Sequence, residues 1–436
     1  MVKIQKNSLK IFLAVFITLL IGLTGGFLIS KKIKFPAKKT TVSVFKDKYL
    51  AFLFEVYETI KVNYWEKITD EQLTNLFILG TEKVTGKPQV NKPKDKPELQ
   101  KLLTSVLKDQ DSEQKKKEFT SQLANIVLAN LQPFGRSRLY SQKEEIALKN
   151  NVENKNPEVD QYQVLNVKKD ASMEEINQTY KTQAEKLTND KSPEAQQKLA
   201  QINNAYQTLA DQNTRKVYDQ SGIEATMVNK ILAKNILYFH IDKFSPTTIQ
   251  ELLNISEKYK NIKDLNYLII DLRGNVGGAI DGLPYFLGPF IGNDQYAYQF
   301  YQQGNKEDFK TKTDWFPGLV QYKQTVILID SETQSSAEVM AAVLKKYNVG
   351  VLVGTPTKGW GTVEKVFELK QQIDPLEKYS VFLVHHLTLR EDGQPIEGRG
   401  VDPSVNIQDP AWKNQLFTYL HNEQLISEIE KIVKTP

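Results

Sequence analysis

Residues 267–278 read Tyr-Leu-Ile-Ile-Asp-Leu-Arg-Gly-Asn-Val-Gly-Gly. A short, near-continuous apolar run suits a strand buried on both faces. The glycines that follow let the backbone come close to whatever lies beyond the strand's C-terminal end. Two further runs have the same character, Thr325-Val326-Ile327-Leu328-Ile329 and Gly350-Val351-Leu352-Val353. Amphipathic stretches at 247–259 and 336–347 separate them. Buried strands alternating with helices predict an α/β core with a mixed sheet over residues 225–410.

Ser335 follows the second run after a short turn and starts the helix expected at 336–347. A hydroxyl there faces unsatisfied N–H groups and the positive end of the helix, both favourable to a developing oxyanion. Ser335 is therefore the candidate nucleophile, and the backbone N–H groups of Gly277, Gly278 and Ser336 are the oxyanion candidates. Taken alone, each segment also reads more plainly, as a helix N-cap and a glycine-rich turn.

N-terminal to the core, residues 158–224 form a separate helical module. Ser172 and Glu175 stand at capping-box spacing. Ile176, Tyr180, Ala184 and Leu187 make one apolar stripe, facing another of Leu199, Ile202, Ala205, Tyr206 and Leu209. Residues 41–150 read as helical, with amphipathic helices after Lys46, from Asp70 to Val84 and from Phe119 to Leu131. The stretch 87–118, rich in Lys, Pro, Asp and Gln, reads as a solvated insertion, and the charged stretch up to Asn156 as a linker. A C-terminal helix is expected in 411–436.

Residues 11–29 are 19 residues without a charge, long enough to span a bilayer core as a helix. No small-x-small cleavage site follows, which favours a retained anchor within the segment 1–40 over a removed signal peptide. The first 50 residues hold ten lysines against one acid, Asp47, whereas the rest hold 47 basic and 51 acidic side chains, a balance of −4. The basic charge thus belongs to a membrane-facing tip, and no large basic surface is left for nucleic acid. With no cysteine and only four histidines, His240, His385, His386 and His421, the chain offers no disulfide, no cysteine nucleophile and no metal site by sequence.

Four segments resemble, in order and spacing, the C-terminal processing (tail-specific) peptidases, serine proteases with a Ser-Lys dyad. They are Asp271-Leu272-Arg273-Gly274-Asn275-Val276-Gly277-Gly278, Ser331-Glu332-Thr333-Gln334-Ser335-Ser336-Ala337-Glu338, the run from Gly354 to Glu364, and Gly393-Gln394-Pro395-Ile396-Glu397-Gly398-Arg399-Gly400-Val401-Asp402-Pro403. Val56-Tyr57-Glu58-Thr59-Ile60-Lys61 and Pro133-Phe134-Gly135-Arg136-Ser137 match that family's helical lead-in. The module at 158–224 is similar to the J domain of the DnaJ co-chaperones, through Tyr162-x-Val164-Leu165, Ile202-Asn203-x-Ala205-Tyr206 and Arg215-x-x-Tyr218-Asp219. It stands where those peptidases normally carry a PDZ domain.

Both resemblances break at a functional point. The J family's His-Pro-Asp is here Thr188-Asn189-Asp190, so stimulation of a heat-shock chaperone ATPase is not expected. The peptidase lysine is replaced by Trp360, and the glutamine that orients it by Glu364. Indole has no basic lone pair. The candidate bases are Lys358, on the same face two residues earlier if the segment is extended and with a neutral amine if buried; Glu364; and His385 or His386, of which strand alternation puts one inward. The expectation is a membrane-anchored, extracytoplasmic serine endopeptidase acting on protein or peptide substrates without a cofactor. An inactive peptide-binding relative and a membrane-tethered co-chaperone are the alternatives.

Overall fold

The computed structural model describes residues 45–89, 93–188, 190, 192–390 and 392–434. The expected anchor at 11–29 and Asn189 lie outside them. Among the described residues no helix is long and apolar enough to cross a membrane. The chain divides into two units, Met1–Lys46 and Asp47–Pro436, and the description below concerns the second.

Its strands are β1 (Arg138–Ser141), β2 (Met227–Leu232), β3 (Ile236–Ile241), β4 (Tyr267–Asp271), β5 (Tyr296–Gln302), β6 (Asn305–Lys310), β7 (Gln324–Ile329), β8 (Val351–Gly354), β9 (Thr362–Glu368), β10 (Tyr379–Leu389) and β11 (Val405–Asn406). One sheet runs β11-β8-β7-β4-β3-β2, parallel except for the β2–β3 pair. In the other, antiparallel throughout, β10 is central, pairing with β1, β5 and β9 while β6 adds to β5. The fold is mixed α/β, as the alternating pattern predicts.

The apolar runs are unbroken because the larger sheet is covered on both faces. Leu268, Ile270, Ile327 and Ile329 pack with Leu252, Ile255, Phe286, Met340 and Leu344 of three helices, Thr248–Tyr259, Leu283–Ile291 and Ser336–Lys346. Ile269, Val326 and Leu328 point the other way, onto Trp412, Leu416, Leu425 and Ile429. Those residues come from two helices, Trp412–Leu420 and Glu423–Val433, where the sequence suggested one.

From residue 96 on, the supposed insertion at 87–118 is instead largely helical. Helix Lys96–Lys108 buries Leu99, Leu103 and Leu107, and the next helix begins at Glu113. One leucine per turn is a weak signal among so many polar residues, yet it suffices for packing. The charged stretch before Asn156 is also helical, Gln142–Val152, although none of its side chains is buried.

The helical module has its own core of Tyr162, Leu165, Ala171, Ile176, Ile202, Ala205 and Leu209. Tyr180 and Tyr206, from helices Met173–Thr188 and Pro193–Leu209, stack with centroids 3.8 Å apart. Where the chain goes into the module and where it comes out, Lys155 and Ile223 form an antiparallel bridge.

Candidate active site

β4 and β7 are parallel neighbours, so the turns after Asp271 and Ile329 emerge at the same edge of the sheet. This is where open α/β sheets place their ligands. The first turn carries Gly277 and Gly278, the second Ser335. They meet closely: a Cβ on Gly277 would sit 2.7 Å from the Ser335 Cβ. Only glycine fits there.

Ser335 has φ +57° and ψ −125°, immediately before the helix Ser336–Lys346. A non-glycine residue in that region is strained by the order of 1–3 kcal/mol and needs its surroundings to hold it. Glu338 does much of the holding. Its carboxylate is fully buried and accepts hydrogen bonds from the N–H of Ser335 (2.9 Å), Gly359 (2.7 Å) and Trp360 (2.7 Å), and from the Thr357 hydroxyl (2.5 Å). Burial pushes its pKa up, and the four donors oppose that shift. One side chain thereby ties the turn at Ser335 to the strap 357–360. The Ser-x-x-Glu capping-box spacing was the available sequence signal for it.

The oxyanion candidates divide. The Gly277 N–H is committed to Asn275 Oδ1 at 2.8 Å, so it is not available to a substrate, contrary to the expectation from its position. Gly278 and Ser336 have no hydrogen bond at their N–H groups among the described residues. The Ser336 hydroxyl donates to the Gly278 carbonyl at 3.2 Å, joining the two. The Ser336 N–H at the helix start and the Gly278 N–H in the glycine turn suit a tetrahedral oxyanion.

The expected bases fare differently. Lys358 is exposed, and its Nζ lies 3.1 Å from Glu332 Oε2. The buried, unpaired amine required for proton abstraction is not present. Gly359, at φ +79°, breaks the extended alternation that would have put Lys358 on the same face as Trp360. An exposed pair of this kind contributes about 0–1 kcal/mol. Lys358→Ala is accordingly expected to leave fluorophosphonate labelling of Ser335 within about twofold of wild type; loss as complete as in Ser335→Ala would restore Lys358 as the base.

The two histidines do not alternate either, because a bulge interrupts the pairing of β9 with β10 between Val384 and His386. Both are half-buried with rings 4.3 Å apart. His385 Nδ1 sits 2.7 Å from the Asn63 carbonyl and 2.6 Å from Gln302 Nε2. His386 stacks on Phe300 at 5.1 Å, and burial lowers its pKa to about 4. Their partners belong to the antiparallel sheet and the helical lead-in, and Ser335 is not among them.

Glu364 remains beside the strap. Its Oε1 accepts from the Thr362 hydroxyl at 2.6 Å and from Trp360 Nε1 at 3.3 Å. Burial raises its pKa against those bonds and the nearby Arg136 charge. Arg136 is a residue the sequence did not single out for the site. Its guanidinium lies 3.3 Å over the Trp360 ring and pairs with Glu397 at 3.2 Å, and Glu397 also accepts from the Gly361 N–H at 2.8 Å. Nothing in the local sequence links Arg136 to a strap more than 200 residues away.

Behind the glycine turn, buried Asp271 accepts from Arg273 Nη2 (2.8 Å) and the Tyr238 hydroxyl (2.9 Å). His240 Nε2 lies 2.8 Å from Asp242, and its Nδ1 lies 3.8 Å from Asp271. Burial alone would lower the imidazole's pKa, but Asp242 and Asp271 raise it to about 10. A raised pKa means stability fully present below the unfolded value near 6.5 and lost as pH rises toward 10. Hence the melting-temperature gap between wild type and His240→Gln should be widest near pH 6 and should close toward pH 10; a pH-independent gap would refute the charged pairing. Among the described residues no group of three His, Cys, Asp or Glu side chains is placed to hold a metal ion.

Comparison with known proteins bears on two segments. Residues 235–407 match the model of Peptidase family S41, and residues 160–219 match that of the DnaJ domain. The chain is 30% identical over 188 residues to the carboxy-terminal processing protease CtpA of Bacillus subtilis, covering 43% of this chain and 38% of that one. It is 28% identical over 180 residues to a probable CtpA-like serine protease of Staphylococcus epidermidis, covering 41% and 35%. The match thus spans under two fifths of the length of these curated relatives. A solved structure, the photosystem II D1 C-terminal processing protease, aligns at TM-score 0.49 and 14% identity over 83% of this chain and 93% of its own.

Proposed function

We propose that this chain is a serine endopeptidase of the C-terminal processing type, with Ser335 as nucleophile and the N–H groups of Gly278 and Ser336 as oxyanion donors. The observation that carries this reading is the strained Ser335, held by Glu338 at a helix start against a glycine turn. Such strain persists where the surroundings over-determine it, typically at reactive positions. The resemblance of residues 235–407 to S41 peptidases supports a protein or peptide substrate. Purified full-length protein treated with a fluorophosphonate probe should become labelled on Ser335, and casein digestion reads turnover; absence of labelling would sink the assignment.

A second reading rests on Trp360. With an indole where the resemblance places a lysine, and with Lys358 at the surface, the cradle holds a peptide and turnover is lost. Labelling without casein cleavage distinguishes that outcome.

The apolar residues 11–29 support a single-pass anchor, and we place the catalytic unit outside the cytoplasm, where long domains translocate largely regardless of flanking lysines. A C-terminal alkaline phosphatase fusion is expected to be active; an inactive fusion with a fluorescent cytoplasmic reporter would reverse the orientation. The helical module serves this unit as a packing or substrate-contact element. Asp190 is exposed and caps the Ser192 N–H at 2.9 Å, and no chaperone partner is assigned to it.

A further inference from the structure

The seat of the helical module and the oxyanion turn meet on one short segment, residues 241–251. On the module's side the junction is 224–227. Glu224 accepts from Gln161 Nε2 at 2.6 Å and Asn204 Nδ2 at 3.3 Å, and the Ala225 N–H donates to the Thr208 hydroxyl at 3.1 Å. Segment 241–251 grips the same junction. The Asp242 N–H donates to the Thr226 carbonyl at 2.9 Å. Buried Glu251 accepts from the Thr226 N–H, the Thr226 hydroxyl and the Met227 N–H, each at 2.9 Å.

On the other side the segment grips the glycine turn. The Phe244 N–H donates to the Gly277 carbonyl at 2.9 Å, and the Ala279 N–H to the Phe244 carbonyl at 2.8 Å. Asn275 Nδ2 donates to the Ile241 carbonyl at 2.8 Å. The fit is tight: a Cβ on Gly278 would stand 2.1 Å from the Phe244 oxygen. The backbone of Phe244 therefore fixes the direction of the Gly278 N–H. Between the two grips, Thr248 Oγ1 accepts from the Ser245 N–H at 2.9 Å and lies 2.9 Å from Thr226 Oγ1. Thr226, Ser245 and Thr248 are all fully buried.

We propose that residues 241–251 couple the seating of the helical module to the oxyanion turn, which makes Glu251 a positioning residue for Gly278 although it touches no reacting atom. Its two arms can move only together with the segment, because each link is a buried hydrogen bond whose loss leaves an unsatisfied group. The inference rests on the reading of Ser335 as nucleophile, so its test needs one readout that is independent of chemistry. Hydrogen exchange of the full-length protein supplies that, alongside the fluorophosphonate labelling rate.

Glu251→Gln keeps the side chain's shape but turns an amide N–H₂ toward the donors of Thr226 and Met227. Thr248→Val removes the hydroxyl relay with almost no change of volume and covers the case in which the first variant fails to fold. Each is expected to speed exchange at 276–279 by about tenfold or more, a change local opening free energies readily produce, and to slow Ser335 labelling. Exchange in the helices Trp412–Leu420 and Glu423–Val433, across the sheet, should stay at the wild-type rate. Faster exchange confined to 224–228, with 276–279 unchanged, would overturn the coupling. A wild type that does not label would sink the nucleophile reading, and exchange alone would then decide the coupling.

Discussion

Glu338→Ala is expected to reduce fluorophosphonate labelling of Ser335 by at least about a hundredfold, the scale seen when oxyanion-site geometry is lost. Removing the carboxylate leaves the N–H groups of Ser335, Gly359 and Trp360 and the Thr357 hydroxyl without their acceptor. A buried unsatisfied donor costs about 1–3 kcal/mol, so several together exceed what the strained Ser335 can tolerate. The backbone at 335 should relax toward ordinary helix-start angles and carry the hydroxyl away from Gly278. Glu338→Gln retains one acceptor oxygen and is expected to fall between the two. Labelling rates with melting curves check this; an alanine variant that labels at the wild-type rate would show that the turn is held by other means.

The second large effect concerns the strap itself. Trp360→Lys combined with Glu364→Gln is expected to raise casein hydrolysis at least about tenfold over Trp360→Lys alone, within the usual range for a positioned general base. A lysine at 360 would stand beside the Arg136 guanidinium, which now lies 3.3 Å over the indole. A like charge disfavours the ammonium and favours the neutral amine that can take a proton. Glu364 works the other way, since its carboxylate would pair with the new amine and keep it charged. Replacing both residues therefore matters. Equal rates in the single and double variants would show that Glu364 does not control the amine, and a rate at wild-type background in both would place the barrier elsewhere in the strap.

The buried sheet was legible because period and composition agree. Strands β4, β7 and β8 are apolar on both faces, and the structure covers both faces. The position of Ser335 was legible for the same reason, since a serine after such a strand and before a helix leaves few geometries. What escaped were features set by contacts distant in sequence or by single backbone angles. Lys358 is exposed and pairs with Glu332, and the positive φ of Gly359 removes the extended alternation that would have set it on the face of Trp360. The register slip between Val384 and His386 cancels the alternation that would have turned one histidine inward. Arg136 reaches Trp360 from the helical lead-in, and only the folded chain shows it. The leucines at 99, 103 and 107 were hidden by their neighbours' polarity, although their i, i+4, i+8 spacing puts them on the one face that the helix buries.

The bridge between Lys155 and Ile223 has a consequence for how the polypeptide is organised. The Glu224 N–H also donates to the Asn154 carbonyl at 2.9 Å, so the stem stands on contacts outside the intervening helices. In polymer terms residues 156–222 are a long loop whose ends are already pinned. Closing a loop costs only slowly more as it lengthens. A stem of this kind accepts inserts of very different size at nearly the same entropic cost, so what distinguishes one insert from another is its contacts with the stem and not the closing of the loop.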